Sequence, residues 1–412
     1  MSAEALPVSQ ADRIQALDVL RGVAIFGILI ANMLVPSGYY FLEPAARAAL
    51  PTASGDGVVL YLIYLLVEGK FYSIFSLLFG VGFAVQWRRA EAKGMAFPPL
   101  FRRRLLGLLL IGLVHALLIW AGDILVLYAL LGFLLLPFHH VSDRTLLRAA
   151  VICLALPVGI YLLMLAAGVG DPFATATAGP AAGVDYLAVM LAGFSEGSWS
   201  EALRSNAILL IGRWVDLFVS LRFPKVFGMF LLGYYLGRRG IGMDPVRDAS
   251  LLKRTIVIGL TIGLPANAVM VWLADQGVYL PASPLGLMQT VAAAIGLPAL
   301  ALGYSACVVL AFGSPTGKRI LGPVGPAGRM ALTNYLMHSL LMTTIFYGWG
   351  LGWYSKVGPL YTTLLAVLIC LIQVPLSRLW LERFRFGPVE WRWRQFTYRR
   401  VLPLRRAAVV AE

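Results

Sequence analysis

Histidine and carboxylate are the side chains best suited to moving a proton near neutral pH, and this chain has four histidines for the task. His115 and His338 stand inside long apolar runs; His139 and His140 stand at the basic end of one, where an interfacial position accounts for them. His115 precedes Asp123 by eight residues. A carboxylate can fix the tautomer of a histidine and raise its basicity. Eight helical residues cover about 12 Å, so a direct bond requires the turn at Gly122-Asp123 to fold back. Without that fold, both side chains line one outward-facing cavity. The plainer reading of His115 is a hydrogen bond that packs two helices. Asn334 and His338 are four apart and share a helix face. They point together to a cavity or to a neighbouring helix.

Charged and amide groups mark three further places. Asp18, Arg21 and Asn32 interrupt the apolar stretch 17–32. A charge at the centre of a membrane span costs about 2.5–3.5 kcal/mol on insertion scales, so these residues need a partner or a polar cavity. Asp18 and Arg21 are three apart and can pair. They form either an interfacial ion pair or the polar face of a bundle, with Asn32 on that face. Glu68 and Lys70 precede a second apolar run. Arg213, Asp216, Arg222 and Lys225 punctuate the apolar stretch around 203–225, as a solvated face or as a site for an anion. Other chemistries lack their signatures. Residues 313–319 resemble a phosphate loop but are one residue short and lack the hydroxyl residue after the lysine. There is no H-E-x-x-H, G-x-S-x-G or dinucleotide fingerprint. Cys153, Cys307 and Cys370 fall in separate apolar runs without metal-ligand spacing, so no metal site is expected.

The elements that must position these groups are membrane spans. The chain is 59% hydrophobic and 13% charged, with a mean hydropathy of +0.80. Apolar runs near twenty residues, without the alternation of barrel strands, predict an all-α, polytopic helical bundle in an integral membrane protein. The net charge of +14 sits in short clusters between the runs, the positive-inside pattern of cytoplasmic loops and not a nucleic-acid footprint. Arg88, Arg89, Lys93 and Arg102–Arg104 place one loop, and hence the N-terminus, in the cytoplasm. The first apolar run has no cleavage site after it and is read as a span. About ten transmembrane helices, with both termini cytoplasmic, satisfy every basic cluster. The expected spans fall near 17–35, 70–86, 105–121, 124–138, 147–168, 224–236, 255–274, 285–312, 330–348 and 360–378. The whole chain, 1–412, reads as one transmembrane domain. Residues 169–222 are an outer loop leading into a re-entrant or amphipathic helix, and 382–412 are a basic tail. Trp391 and Trp393 would let that tail lie on an anionic leaflet.

Several blocks carry a family resemblance. L-D-V-L-R-G at 17–22 followed by Asn32 resembles the first helix of the transmembrane acyltransferase superfamily, which includes the acyltransferase-3 proteins and heparan-α-glucosaminide acetyltransferase. Asn32 stands where the acyltransferase-3 branch has a histidine, and resembles the acetyltransferase branch there. FSLLFGVGFA (75–84), GDILVLYALLG (122–132), GRMALTNYLMHSL (328–340) and FRFGPVEWRWRQFTY (384–398) look most like the domain-of-unknown-function 418 family. The resemblance implies an acyl group passing from a cytoplasmic acyl-coenzyme A, acetyl-coenzyme A included, to a hydroxyl or amine acceptor outside. In that reading His115 is the base, Asp123 or Glu68 orients it, and Arg21 and Asn32 hold the donor or an oxyanion. No tightly bound cofactor is implied. The partners are membrane lipids, the acyl-coenzyme A and a glycan or lipid acceptor, with a homo-oligomer left open; the location is the plasma membrane. The rival readings are a transporter or lipid-binding protein using the same polar groups, and a structural membrane partner.

Overall fold

The computed structural model describes residues 14–168, 185–276 and 283–406. The ends of the chain, the first part of the expected outer loop (with Asp171) and part of the loop near 275–284 lie outside these residues. Among the described residues the regular structure is helical, joined by turns and loops, apart from an isolated bridge between Phe384 and Arg405. In chain order the first helices are α1 (Gln15–Asn32), α2 (Pro44–Ala48), α3 (Ala53–Leu62), α4 (Lys70–Ala92), α5 (Phe97–Leu118), α6 (Leu125–Leu135) and α7 (Asp143–Ala166). There follow α8 (Tyr186–Ser195), α9 (Trp199–Val219), α10 (Arg222–Arg239), α11 (Ala249–Asp275) and α12 (Pro284–Phe312). The chain ends through α13 (Pro315–Leu321), α14 (Gly325–Arg329), α15 (Ala331–Phe346), α16 (Pro359–Arg383) and α17 (Pro388–Tyr398).

Six described helical segments are long and apolar enough to cross a membrane: Gln15–Asn32, Ala53–Ala92, Asp143–Ala166, Ala249–Asp275, Pro284–Phe312 and Pro359–Arg383. The exterior agrees. Val151 on α7, Ile258 on α11 and Leu371 on α16 are all more than half exposed, a pattern that suits lipid and not water. The remaining expected spans are shorter or more polar helices. The stretch 203–219 belongs to one continuous helix, α9, opened by a reciprocal cap between Ser198 and Glu201, and Ser220 and Leu221 turn the chain into α10. Helix also occupies 186–195, inside the expected loop.

Packing gathers α1, α4, α5, α6, α10 and α15 around a shared apolar core. Without a hydrophobic drive in lipid, helices associate through close backbone approach. Here α4 and α10 touch at Gly80 and Gly233: a Cβ at the first would fall on the Phe230 carbonyl oxygen, and at the second on the Leu77 carbonyl oxygen. The segment Ala53–Ala92 is not straight. A wide turn at Ile63–Val67 and a left-handed Gly69 (φ 84°) break it before α4, and Lys70 is fully buried at the break. Its Nζ donates to the Tyr64 carbonyl at 2.6 Å.

The basic tail is more than a surface strap. Glu390 on α17 is buried and accepts from the Leu332 and Thr333 amides (2.8 and 3.0 Å) and from the Thr333 hydroxyl. It thereby satisfies orphan donors at the start of α15. Burial pushes the Glu390 carboxyl above the usual carboxylate range, partly offset by these hydrogen bonds. Trp393 donates to the Arg104 carbonyl at 2.8 Å, and Trp391 to that of Leu402 at 2.7 Å. Both indole N–H groups are thus hydrogen-bonded within the protein, while the two rings remain half-buried.

Candidate active site

The end of α5, the turn after it and the middle of α15 meet at His115. Its Nδ1 lies 2.7 Å from Asp123 Oδ2, and its Nε2 lies 2.8 Å from Ser339 Oγ. His115 and Ser339 are fully buried and Asp123 nearly so. This corrects the expectation drawn from helix rise: α5 ends at Leu118, and the turn returns Asp123 beside the ring. An amide holds that turn. Asn206 on α9 accepts from the Ala121 N–H at 2.6 Å and donates to the Ala116 carbonyl at 2.8 Å. The second oxygen of Asp123 accepts the Val126 N–H at 2.7 Å, in the first turn of α6. Tyr335, one turn before Ser339, packs its ring 5.0 Å from that of His115 and directs its hydroxyl to the Gly122 carbonyl.

The proton arrangement follows from the donors available. A carboxylate only accepts, so Nδ1 of His115 carries the proton shared with Asp123. In the neutral ring Nε2 is then the acceptor and Ser339 the donor. The chain Asp123–His115–Ser339 is therefore a carboxylate–imidazole–hydroxyl relay. Both ring nitrogens are occupied, so of the two expected orienting carboxylates it is Asp123 and not Glu68 that holds His115. Asn32 is the half-buried last residue of α1. Glu68 stands at the helix break, within electrostatic reach of Lys70, Tyr72, Arg213 and Arg222.

The second histidine has another task. His338 Nε2 lies 2.5 Å from the Gln373 side-chain oxygen, and Asn334 Nδ2 donates to Ser377 at 3.2 Å. Two residues four apart on α15 thus meet two residues four apart on α16, forming rungs between helices. His338 and Asn334 face this seam, away from the His115 relay.

Two basic groups are distinct in the bundle, one beside the relay and one apart from it. Arg213 pairs with Asp216 at 2.9 Å, Arg222 approaches the same carboxylate at 3.4 Å, and Lys225 donates to the Ser220 carbonyl at 2.9 Å. Arg213 and Asp123 line one narrow crevice of about 10 Å³ between α5, α6 and α9. The other group lies at the opposite end of α1. Asp18 is buried and pairs with Arg21 at 2.7 Å. Arg104, Arg329 and Arg394 lie within electrostatic reach of one or both. Arg329 keeps Nε and one terminal nitrogen buried without a hydrogen-bond partner among the described residues. Several of these residues escaped the sequence reading. Ser339 looks like any hydroxyl in a span, Arg104, Arg329 and Arg394 look like loop charges, and only Asn206, a lone amide in an apolar helix, carried a signal.

The comparisons with known proteins agree with one another. The profile of the family described as "Protein of unknown function (DUF418)" matches residues 236–400, which include Ser339, Arg329 and Glu390. The Bacillus subtilis (strain 168) protein named "Uncharacterized protein YxaH" is 35% identical over 95% of this chain and 96% of its own length. The Escherichia coli (strain K12) protein named "Uncharacterized protein YeiB" is 30% identical over 95% of this chain and 98% of its own. A Bacillus acidopullulyticus protein, "Uncharacterized 39.9 kDa protein in amylase 3'region", is 29% identical over 97% of both chains. With a profile match over 236–400 and relatives that align from end to end, the chain belongs to the DUF418 family.

Proposed function

We propose that this protein is a membrane-embedded acyltransferase, moving an acyl group from a cytoplasmic acyl-coenzyme A to a hydroxyl or amine acceptor on the outer side. The observation that carries the reading is the ring of His115 held between Asp123 and Ser339 in a buried site. Acyl transfer needs a base that removes the acceptor proton, and a buried carboxylate–imidazole pair supplies one. The arginines around Asp18 suit the phosphates of the donor, and the basic group around Arg213 suits an anionic acceptor. The proposed topology is about ten spans in the plasma membrane with both termini cytoplasmic. The basic clusters support it by the positive-inside rule. In this topology the Arg21 group faces the cytoplasm and the relay lies toward the outer half. A homo-oligomer fits this reading as well as a monomer does.

The test is acyl-coenzyme A binding and turnover by purified protein in detergent. Arg21→Ala is expected to weaken saturable binding, and His115→Ala to abolish turnover in a protein that still folds. Wild-type protein that binds no acyl-coenzyme A sinks the reading. One observation favours a second one: the break before α4, with Lys70 buried in it, resembles the interrupted helices of transporters. A transporter moves an unmodified solute, so product analysis separates the two.

A further inference from the structure

Serine and threonine hydroxyls inside membrane helices ordinarily bond the carbonyl one turn back. This protein follows the habit at Ser73, Ser76, Ser305 and Thr343, which donate to the carbonyls of Gly69, Tyr72, Ala301 and Ser339. Ser339 departs from it. Its hydroxyl is turned across the helix interface onto Nε2 of His115, whose other nitrogen is held by Asp123. A hydroxyl on an imidazole that is itself oriented by a carboxylate is the arrangement that activates a serine nucleophile.

From this we infer that Ser339 is a nucleophile that carries the acyl group between donor and acceptor. The inference rests on the acyltransferase reading and adds a covalent step to it. Ser339 Oγ attacks the carbonyl carbon of an acyl thioester while its proton passes to His115 Nε2. The tetrahedral adduct collapses, the carbon–sulfur bond breaks, and the departing thiolate takes the proton from His115. Acyl-Ser339 and a free thiol remain. An acceptor hydroxyl then attacks the Ser339 ester and gives its proton to His115, and Oγ leaves with that proton. The product ester is released with His115 and Ser339 as they began. Asp123 balances the imidazolium in both halves without leaving its carboxylate form.

A small space for an acyl group lies next to this part of α15. A pocket of about 50 Å³, which Ser339 itself does not line, is walled by Leu118, Ile119 and Leu203, and by Leu340 and Thr343 of α15. Tyr347 also lines it, and its hydroxyl is buried without a partner among the described residues. The cleft is mostly apolar with a few polar atoms, as an acyl-group site requires. Ser339 itself is fully buried, so attack requires this wall to open, and the test is made under turnover conditions.

The experiment uses full-length protein in detergent with radiolabelled acetyl-coenzyme A, first without an acceptor, followed by acid quench and peptide mapping. The expected result is an acetyl adduct on the peptide bearing Ser339. Ser339→Ala is expected to lose the adduct and to slow transfer by roughly a thousandfold or more. Ser339→Cys keeps a nucleophile and should still be labelled, now as a thioester cleaved by neutral hydroxylamine. Size-exclusion profiles and thermal midpoints of both variants separate lost chemistry from lost folding. If Ser339→Ala transfers at the wild-type rate while His115→Ala is inactive, the covalent step is overturned and the acyltransferase reading stands. Loss of transfer in both Ser339 variants without label on the cysteine makes Ser339 structural and also overturns it. Wild-type protein that neither transfers nor becomes labelled overturns both.

Discussion

The carboxylate of Asp123 sits 2.7 Å from Nδ1 of His115 across a helix end, and it fixes which ring nitrogen carries the proton. Asp123→Asn keeps the size of the side chain but offers an N–H where a carboxylate oxygen accepted one. The ring is expected to flip its tautomer and present Nε2–H to Ser339, leaving no base. Transfer should fall by about 10³–10⁴-fold, as for a comparable change in a serine protease triad. The measure is turnover by the folded variant; a fall below tenfold would remove Asp123 from the relay.

The turn behind that contact depends on Asn206. Asn206→Ala strips a partner from the Ala121 N–H and from the Ala116 carbonyl, both in the buried turn. A buried group left unsatisfied costs about 1–3 kcal/mol. The variant should unfold at a lower temperature in detergent and lose turnover together with stability, whereas Ser339→Ala should lose turnover with little change in unfolding temperature.

His338 offers a contrast within the same helix. His338→Leu breaks the bond to Gln373 and leaves that amide facing an apolar side chain. Polar contacts between membrane helices average about 0.6 kcal/mol and reach about 1.7, so a modest loss of thermal stability is expected, with turnover within a few fold of wild type. Loss of all turnover at full stability would give His338 a part in the chemistry.

Glu390 gives a pH dependence with a defined sign. Burial raises its carboxyl above the ordinary value of 4.5 in the folded chain. The folded state therefore binds the proton more tightly than the unfolded state. This contribution to stability is fully present below the unfolded value and falls away as pH rises through the folded one. Thermal midpoints of wild type and Glu390→Gln should differ in slope across that window, with the flatter line for glutamine. Parallel lines would contradict the direction of the shift.

Local space predicts opposite outcomes for the same substitution at two glycines, Gly233 in the α4–α10 contact and Gly212 on α9. Gly233→Ala drives a methyl into the Leu77 backbone and should cost on the order of 1–3 kcal/mol. Gly212→Ala, on α9, meets nothing within 4 Å and should be neutral or stabilise by roughly 0.5–1 kcal/mol through helix propensity. Unfolding in detergent compares them directly.

Hydrophobic run length and the placement of basic residues are local properties, so the sequence alone determined that this is an all-helical membrane protein. It also singled out His115, Asp123 and the Asp18–Arg21 pair, because polar groups in apolar runs are costly and therefore conspicuous. What it could not determine was partnership. Helix rise separated His115 from Asp123, and only the turn braced by Asn206 brings them together. Ser339 joins His115 across 224 positions, and Glu390 caps α15 from the far end of the chain. The sequence favoured His115 as the base and left the partner of His338 open; the structure places His338 on the seam with Gln373. Such contacts depend on where helices cross and rotate, which backbone approach at residues such as Gly80 and Gly233 sets, and no local pattern in the chain encodes that rotation by itself.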